Sequence, residues 1–516
     1  MKSWAHRPPP AARRRRLTKP AGFGRAGRLV TIVREMADDL RDTPPPRTAA
    51  SASPPAPATP SASKACHRAD ALAVVRRLRE AGHVAYFAGG CVRDLLLGRE
   101  PKDWDVATDA PPPRVRGLFP RTQAVGAAFG VILVRIGRSQ VEVATFRSDG
   151  RYVDGRRPEE VAFTTADRDA ERRDFTINGL FLDPLAAADG PDAEASADAA
   201  AADDGRVGGR VIDFVGGRDD LKAGVIRAIG DPGKRFDEDH LRVLRAVRFA
   251  ARLGFAVEPT TAAAIRLHAP QLARISPERV AEELRAMLPP PTRPAAWRML
   301  VDLGLAAVVF RFVAAPPAAA AGTGTGRVDD VFAFLDPGDP VPFPLALAAA
   351  ALQWLRHVHA AGADVRRHLT KPAVAGIVGG LRKALRPSNE EADAVEGTLH
   401  GLAVLAADEP PGVAGLKRFL ARPTAGTSRR LLVALAAAGA VDAERAAVIE
   451  ARLAELAQTD FAPPPLVTGD DLTAAGASPG PAFKRMLDAA YDAQLAGDAV
   501  TRDDAMAVAS RAAAKP

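Results

Sequence analysis

Two neighbouring stretches decide the fold: Ala85-Tyr-Phe-Ala-Gly-Gly-Cys-Val-Arg-Asp94 and, shortly after it, Lys102-Asp-Trp-Asp-Val-Ala-Thr108. In the first, an apolar run ends at a glycine pair, and an amphipathic pattern predicts a helix over residues 92–97. In the second, two carboxylates flank a tryptophan and lead into a β-rich segment. Strand side chains repeat every two residues, so we expect both carboxylates on one face of a second strand.

This order of elements predicts a site for a nucleoside triphosphate and Mg²⁺. Gly89 and Gly90 let the backbone come close to a phosphate at a helix N-terminus, and Arg93 supplies a charge-assisted contact. Asp103 and Asp105 are the smallest carboxylate set for a metal pair that activates an attacking hydroxyl. Each motif alone is also typical of a tight turn or a solvated acidic pair, and their combination favours the functional interpretation.

Composition and charge limit the classes of protein that fit. The chain has 516 residues and a net charge of +8, and residues 1–64 hold 13 Lys and Arg against 4 Asp and Glu. The remaining residues therefore sum to −1, so overall basicity says little about nucleic-acid binding by the folded part. Two cysteines fit a reducing cytoplasm, and no apolar run is long enough to span a membrane. Nothing indicates a protein partner.

The pattern of elements predicts an α+β fold. Residues 65–232 alternate strands and short helices and form a head with a mixed sheet; residues 233–313 form a helical neck, and 329–516 a helical body and tail. Within the neck, residues 235–253 are expected to be one long helix. Low-complexity composition predicts a disordered basic extension at 1–64, a disordered insert at about 186–210 and a linker at 314–328.

The interpretation of the extension stays open. One alternative is a disordered segment, or a start at Met36; the other is non-specific RNA binding by residues 13–16, four consecutive arginines.

A second group of candidate site residues lies on the predicted neck helix: Asp239, Arg242, Arg245 and Arg248. A solvated face with ion pairs would explain the charges, but not arginines among apolar residues, where burial without a partner is costly. An Asp–Arg pair can read the Watson–Crick edge of a base, and further arginines can reach phosphates. The protein would then replace a nucleic-acid template.

Three further polar residues have two interpretations each. Arg173 is a cation for the triphosphate and Asp174 an acceptor for a ribose hydroxyl, or the two are an ordinary ion pair at a helix start. Glu142 lies beside the metals or is a solvated carboxylate at a strand edge. Asp94 is assigned a structural role at the helix dipole, and Cys91 that of a small spacer.

The order of these motifs resembles class II tRNA nucleotidyltransferases (CCA-adding enzymes) and bacterial poly(A) polymerases. The motifs are Gly89-Gly-Cys-Val-Arg-Asp94, Lys102-Asp-Trp-Asp-Val-Ala-Thr108, Arg172-Arg-Asp-Phe-Thr-Ile-Asn178, Ile229-Gly-Asp-Pro232 with Arg235-Phe236, Glu238-Asp-x-x-Arg-x-x-Arg245 and Ser276-Pro-Glu-Arg-Val-Ala-Glu-Glu-Leu284. The resemblance covers about residues 68–312 and implies a polymerase-beta-like head followed by helical domains.

The resemblance also implies residue roles. Asp103 and Asp105 would be magnesium ligands, and Asp239 with Arg242 would be the base-reading pair. Asp174 would contact the ribose, and the other implied contacts to ATP or CTP are Gly90, Arg93, Arg173, Arg245 and Arg248. The partner would be the 3′ end of tRNA.

Within the family, residues 126–134 are closer to the CCA-adding pattern, and the loop Asp149-Gly-Arg-Tyr-Val-Asp-Gly-Arg-Arg-Pro158 resembles that of enzymes able to add the terminal A. Addition of CCA from CTP and then ATP is the leading hypothesis. An A-only enzyme, a poly(A) polymerase and, from a different class, an inactive RNA-binding module are the alternatives.

Overall fold

The computed structural model describes residues 68–126, 130–137, 139–150, 161–186, 208–312, 330–358, 364–478 and 480–513. Several predicted segments lie outside these residues, and their predictions stay untested: the extension 1–64, nearly all of the insert 186–210, the linker 314–328 and residues 151–158 of the glycine-bearing loop.

A seven-stranded mixed sheet is the frame on which the candidate site is built. The strands of the N-terminal part are β1 Ala85–Ala88, β2 Val106–Thr108, β3 Thr122–Gly126, β4 Val131–Ile136, β5 Ser139–Thr145, β6 Arg147–Asp149, β7 Val161–Phe163, β8 Phe181–Asp183 and β9 Arg210–Ile212. The sheet has the order β3-β4-β5-β2-β1-β8-β9, and β6 pairs with β7 separately. Strands β2 and β5 run parallel and the other pairs antiparallel, which confirms the predicted mixed sheet.

Short helices connect and cover these strands. They are α1 Arg68–Glu80, α2 Gly90–Leu96, α3 Pro112–Leu118, α4 Ala166–Glu171 and α5 Gly217–Ala223, with a 3-10 turn at Thr176–Asn178. Helix α1 packs on β1, β2 and β5 through Ala71, Val75 and Leu78, which are fully buried. Its apolar residues recur at helical spacing, so one face enters the core and the charged face stays in water.

Strand β2 begins later than predicted. Asp103 and Asp105 lie in the irregular segment before Val106, so the expected strand carrying both carboxylates is wrong in its boundary. The segment is nevertheless held against β1, because the Ala88 amide donates to the Asp105 carbonyl at 3.0 Å. Side chains still alternate: Trp104 is buried and packs on Phe87 at 4.8 Å between ring centroids.

The predicted helix 235–253 is two helices. They are α6 Pro232–Glu238 and α7 Arg242–Leu253, and Asp239 between them has extended backbone angles (φ −143°, ψ 102°). Its carboxylate accepts a hydrogen bond from the Leu241 amide at 3.1 Å, and a side chain that bonds its own backbone competes with helix continuation. The break places Asp239 at the entrance of α7.

The remaining described chain is helical apart from β10 Val225–Ile226 and β11 Ala256–Val257, which pair in parallel. The helices that follow α7 are α8 Pro259–His268, α9 Pro277–Met287, α10 Arg293–Asp302 and α11 Leu305–Val309, with a 3-10 turn at Ala269–Arg274.

Ten helices are described beyond them. They are α12 Val331–Phe334, α13 Phe343–Val358, α14 Lys371–Leu385, α15 Asn389–Leu405, α16 Val413–Leu420, α17 Ala425–Ala437, α18 Ala443–Ala457, α19 Gly469–Ala474, α20 Pro481–Ala496 and α21 Arg502–Ala513. One apolar core runs from Ala71 to Leu456, and a smaller one joins α19, α20 and α21. The α+β class is confirmed. No described helix is both long and apolar enough to cross a membrane.

Candidate active site

The glycine pair forms the turn between β1 and α2. Gly89 has φ +73°, and a Cβ placed there would lie 2.7 Å from Nη1 of Arg173, so this position requires glycine. At Gly90 an added Cβ would meet Arg93 at an ordinary 3.7 Å. Packing within the protein therefore explains the first glycine and does not explain the second.

The two aspartates lie just before β2, at the end of the sheet that is next to this turn. With Glu142 they form what we call the acidic edge. Asp103 is exposed, Asp105 is half-buried, and Glu142 is exposed on the neighbouring strand β5. Burial, together with the charges of Glu142 and Asp103, raises the pKa of Asp105 from 3.8 to about 6, although Arg173 opposes them. The charge of Glu142 thus acts on Asp105, as expected for a carboxylate beside the pair.

These carboxylates fit a divalent cation. Within the described part of the chain, neither Asp103, Asp105 nor Glu142 forms a side-chain hydrogen bond or an ion pair within 4.0 Å. Three acidic groups, two of which raise the pKa of the third against the opposing charge of Arg173, form a site of negative potential. Carboxylate oxygens are the ligands that Mg²⁺ prefers.

Arg173 lies between this acidic edge and the rest of the site. Its guanidinium donates to Asp169 at 2.9 Å and to the Asn178 carbonyl at 3.2 Å, and it stacks over Phe181. Burial alone would raise the pKa of Asp169, but Arg173 and Arg172 outweigh it and hold this pKa below its ordinary value. Asp169 therefore stays charged and fixes Arg173.

Asn178 connects α2 to α7 through Asp174. Its side-chain oxygen accepts from buried Arg93 at 2.6 Å, and its amide nitrogen donates to Asp174 at 3.0 Å. Arg93 is also held by Asp94 at 2.6 and 2.8 Å. The first turn of α2 contains no acidic residue, so the expected role of Asp94 at the helix dipole is wrong, and its contact with Arg93 is a positioning one. Asp174 in turn pairs with Arg245 of α7 at 2.6 Å.

Asp174 and Arg245 are both ionised in this pair. Burial would raise the pKa of Asp174, but Arg245 and the Asn178 amide lower it to about 2. A polar network therefore runs from Arg93 and Arg173, beside the acidic residues, through Asn178 and Asp174 to Arg245 of α7.

The arginines of α7 each have a protein carboxylate as partner. Arg242 pairs with Glu238 at 2.5 Å, Arg245 with Asp174, and Arg248 with Glu283 of α9 at 3.0 Å. The expectation that protein ion pairs do not account for these buried arginines is therefore wrong. Two of the acids come from segments far away in sequence, so a helical pattern cannot reveal them.

Asp239 and Arg242 lie close together at the start of α7 but do not pair with each other. Asp239 accepts from Nη2 of Arg279 on α9 at 2.9 and 3.2 Å, whereas Arg242 also donates to the carbonyls of Arg235 and Arg172. Arg279 lies in a motif that the sequence singles out without giving it a role.

Arg279 is one of four positioning residues that sequence analysis missed: Asp169, Asn178, Arg279 and Glu283. Asn178, Arg279 and Glu283 lie inside the recognised motifs. Their only sequence signal is a polar residue among apolar ones near a helix start or on a helix face.

Cys91 is buried under the acidic pair. Burial and, to a smaller extent, the Asp105 charge raise the pKa of its thiol to about 12. The thiolate is the nucleophilic form of cysteine, so this residue acts as a small apolar spacer.

Comparison with known proteins supports this description of the chain. The family model "Poly A polymerase head domain" matches residues 85–227, and "Probable RNA and SrmB- binding site of polymerase A" matches residues 254–315. The CCA-adding enzyme of Geobacillus stearothermophilus is 41% identical over 237 residues, which are 46% of this chain and 53% of that protein. That of Bacillus subtilis is 43% identical over 219 residues, 42% of this chain and 49% of the relative.

The chain thus matches about half the length of these curated relatives. Among solved structures, the Bacillus stearothermophilus CCA-adding enzyme in complex with CTP has a TM-score of 0.56 and 28% identity, covering 86% of this chain and 97% of that one. Over its head and the helices that follow, the chain is thus similar in sequence and fold to CCA-adding enzymes and matches the two domain models of poly(A) polymerases.

Proposed function

We propose that this protein is a template-independent nucleotidyltransferase that adds the 3′-terminal CCA to tRNA, first from CTP and then from ATP. One observation carries the proposal. A cluster of carboxylates at Asp105, on which the charge of Arg173 acts, lies beside a hydrogen-bonded network that runs through Asn178 and Asp174 to Arg245. Arg245 belongs to α7, the helix whose start carries Asp239 and Arg242. The first half suits transfer from a triphosphate, and the second half suits recognition of a base.

In the proposed reaction the 3′-hydroxyl of the RNA attacks the α-phosphate of the nucleotide and pyrophosphate leaves. Asp103 and Asp105 would hold two Mg²⁺ ions. When bound, these ions lower the pKa of the attacking hydroxyl and neutralise charge on the triphosphate. Asp105 keeps its carboxylate close to the glycine turn because its backbone is bonded to β1. Glu142 adds negative potential on the open side of the edge.

The triphosphate is assigned to the glycine turn and to two guanidinium groups. Gly89 and Gly90 allow the backbone to approach the phosphates, and Arg93 and Arg173 are oriented by Asn178 before any nucleotide arrives. Donors held in place by the protein need little rearrangement when charge develops in the transition state.

Base reading is assigned to Asp239 and Arg242, with the ribose at Asp174 and phosphate contacts at Arg245 and Arg248. Asp239 offers acceptors and Arg242 offers donors in a fixed planar geometry, so together they can match a Watson–Crick edge. Their present partners Arg279 and Glu238 hold both side chains at the entrance of α7.

Three alternatives compete with this proposal: two use the same chemistry, and one has no catalytic activity. The same head could add only the terminal A or a poly(A) tail, since the loop at 151–158 that bears on this choice lies outside the described residues. An inactive RNA-binding module would retain the fold without needing Asp103 and Asp105. A cytoplasmic location and the division into head, neck, body and tail belong to the same proposal.

One assay tests the proposal. The purified full chain is given tRNA ending at the discriminator base, with CTP, ATP or both, in Mg²⁺. We expect two additions with CTP alone and three with both nucleotides. Incorporation of ATP into tRNA that already ends in CC, with no incorporation of CTP into tRNA ending at the discriminator base, would establish an A-only enzyme. Long A tails on unrelated RNA would establish a poly(A) polymerase, and no incorporation on any substrate would leave the binding module.

A further inference from the structure

We propose a second metal site, for a transition ion such as Zn²⁺, formed by Asp237, His240 and His268. In the described part of the chain these residues are the one group of three such side chains in which one ligand atom from each lies within 4.8 Å of the others. Asp237 lies in the last turn of α6, His240 in the break before α7, and His268 at the end of α8. None of them has a role in the proposed transfer reaction, so this inference is independent of it.

The hydrogen bond of His240 prepares one ring nitrogen for a metal. Its Nδ1 lies 2.7 Å from the Phe236 carbonyl, which can only accept, so Nδ1 carries the proton and donates. In the neutral ring the lone pair is then on Nε2, which has no hydrogen-bond partner among the described residues. Metal-binding histidines are typically oriented in this way by a carbonyl behind the ring.

The separation of Asp237 and His268 matches shared coordination. Nδ1 of His268 lies 3.3 Å from Oδ1 of Asp237. Two ligands at about 2.0 Å from a tetrahedral ion are separated by roughly 3.3 Å, so an ion can replace the proton between them with little movement. The His268 ring is held in place by Phe236, edge to face at 6.0 Å, and the Asp237 side chain is 68% exposed and free to adjust.

The ligand types select the ion. Two imidazoles and one carboxylate favour Zn²⁺, Co²⁺ or Ni²⁺ over Mg²⁺, which prefers oxygen ligands and retains its waters. Three protein ligands leave one position for water. The two proposed metal sites of this chain therefore differ in chemistry: one has only carboxylates, and the other contains imidazoles.

The position of this site gives it a structural consequence. Asp237 and His240 lie on either side of Asp239, and His268 belongs to the helix packed against α6. An ion bound to all three would tie the α6–α7 break to α8. It would thereby stabilise the turn that presents Asp239.

The test is a Co²⁺ titration of the full chain, stripped of metal and free of a histidine tag, followed by visible d–d absorption. We expect one Co²⁺ per chain with tetrahedral bands that Zn²⁺ displaces, and a higher melting temperature with Zn²⁺. His240→Gln and His268→Gln should each weaken Co²⁺ binding by about tenfold or more. His268→Cys should retain binding and add a sulfur-to-cobalt charge-transfer band.

Two controls distinguish this site from the others. His83→Gln removes the histidine of another His–Asp pair, 3.2 Å from Asp109, which lies outside the three-ligand group, and should leave the bands unchanged. Asp105→Asn alters the catalytic edge and should do the same. Equal Co²⁺ affinity in wild type and His240→Gln, or loss of the bands in Asp105→Asn, would overturn the proposal. Circular dichroism of each variant excludes misfolding as the cause of a loss.

Discussion

The two halves of the candidate site have opposite electrostatics. At the sheet edge, Asp103, Asp105 and Glu142 have no close cationic partner in the described residues, and Asp105 is driven towards its neutral form. On α7, each of Arg242, Arg245 and Arg248 is already paired with a carboxylate. The first half is incomplete without a ligand, whereas the second is complete by itself. A ligand should therefore stabilise the edge and compete with protein contacts on the helix.

The largest effect is expected at the edge. Asp105→Ala removes a proposed metal ligand and should lower nucleotide transfer by roughly 10³-fold or more, because activation of the hydroxyl depends on the metal. Binding of tRNA, measured by filter retention, should stay nearly unchanged. Glu100→Ala, an exposed acid between the two opening motifs, is the matched control and should retain activity. Normal transfer by Asp105→Ala would refute the metal assignment.

On the helix, the expected loss is in stability. Arg245→Met leaves the carboxylate of Asp174 buried without its partner. Arg245 is about a third exposed, so we expect a loss of about 2 kcal/mol in the free energy of unfolding, less than for a fully buried pair. Urea unfolding measures it.

A double variant distinguishes the pair from general damage to α7. Arg245→Met with Asp174→Asn should recover most of the loss, because no uncompensated charge remains. Arg252→Met, at an exposed arginine of the same helix whose nearest acid is 3.7 Å away, should change stability little. No recovery in the double variant would show that the ion pair is not the source of the loss.

Removing the charge of Asp105 at the edge should raise the stability of the protein, whereas removing the charge of Arg245 on α7 should lower it. Folding raises the pKa of Asp105 from 3.8 to about 6, so the metal-free folded protein holds this proton more tightly than the unfolded chain. Its stability should then fall as pH rises from about 4 to about 6 and stay lower above that range. Asp105→Asn should therefore be more stable than wild type by about 1–3 kcal/mol above pH 6, and equal to it below pH 4.

Thermal unfolding in EDTA at several pH values measures this difference. Saturating Mg²⁺ should remove it, because the cation neutralises the wild-type cluster. If Asp105→Asn were less stable than wild type at pH 7 in EDTA, the proposed destabilisation of the folded protein by ionised Asp105 would be contradicted.

The smallest effect is expected at Arg279, which holds Asp239 but does not itself belong to the proposed base-reading pair. Arg279→Gln should lower kcat/KM by about tenfold and reduce the preference for CTP over UTP, since Asp239 is less well fixed. Arg274→Gln, at an exposed arginine nearby, should change neither. A change in overall activity with unaltered nucleotide preference would contradict the positioning role.

Much of the fold was predictable because its signals are local. The apolar periodicity of residues 68–81, the alternation in β4 and β5, and the glycine turn before α2 each depend on neighbours within a few residues. The two boundary errors have one physical cause. Asp105 lies just before a strand and Asp239 lies between two helices. The periodicity of apolar residues continues through both positions and therefore does not predict where the strand begins or the helix ends.

By itself, the sequence determined which chemical groups are available: the glycine turn, the two aspartates and the arginines of α7 all lie in short ordered motifs. Only the tertiary structure decided how these groups are connected. Asn178 joins Arg93 to Asp174, Arg279 holds Asp239, and Glu283 faces Arg248, although the partners are 4 to 85 residues apart. Such contacts depend on how helices and strands pack in space, and no local pattern of side chains contains that information.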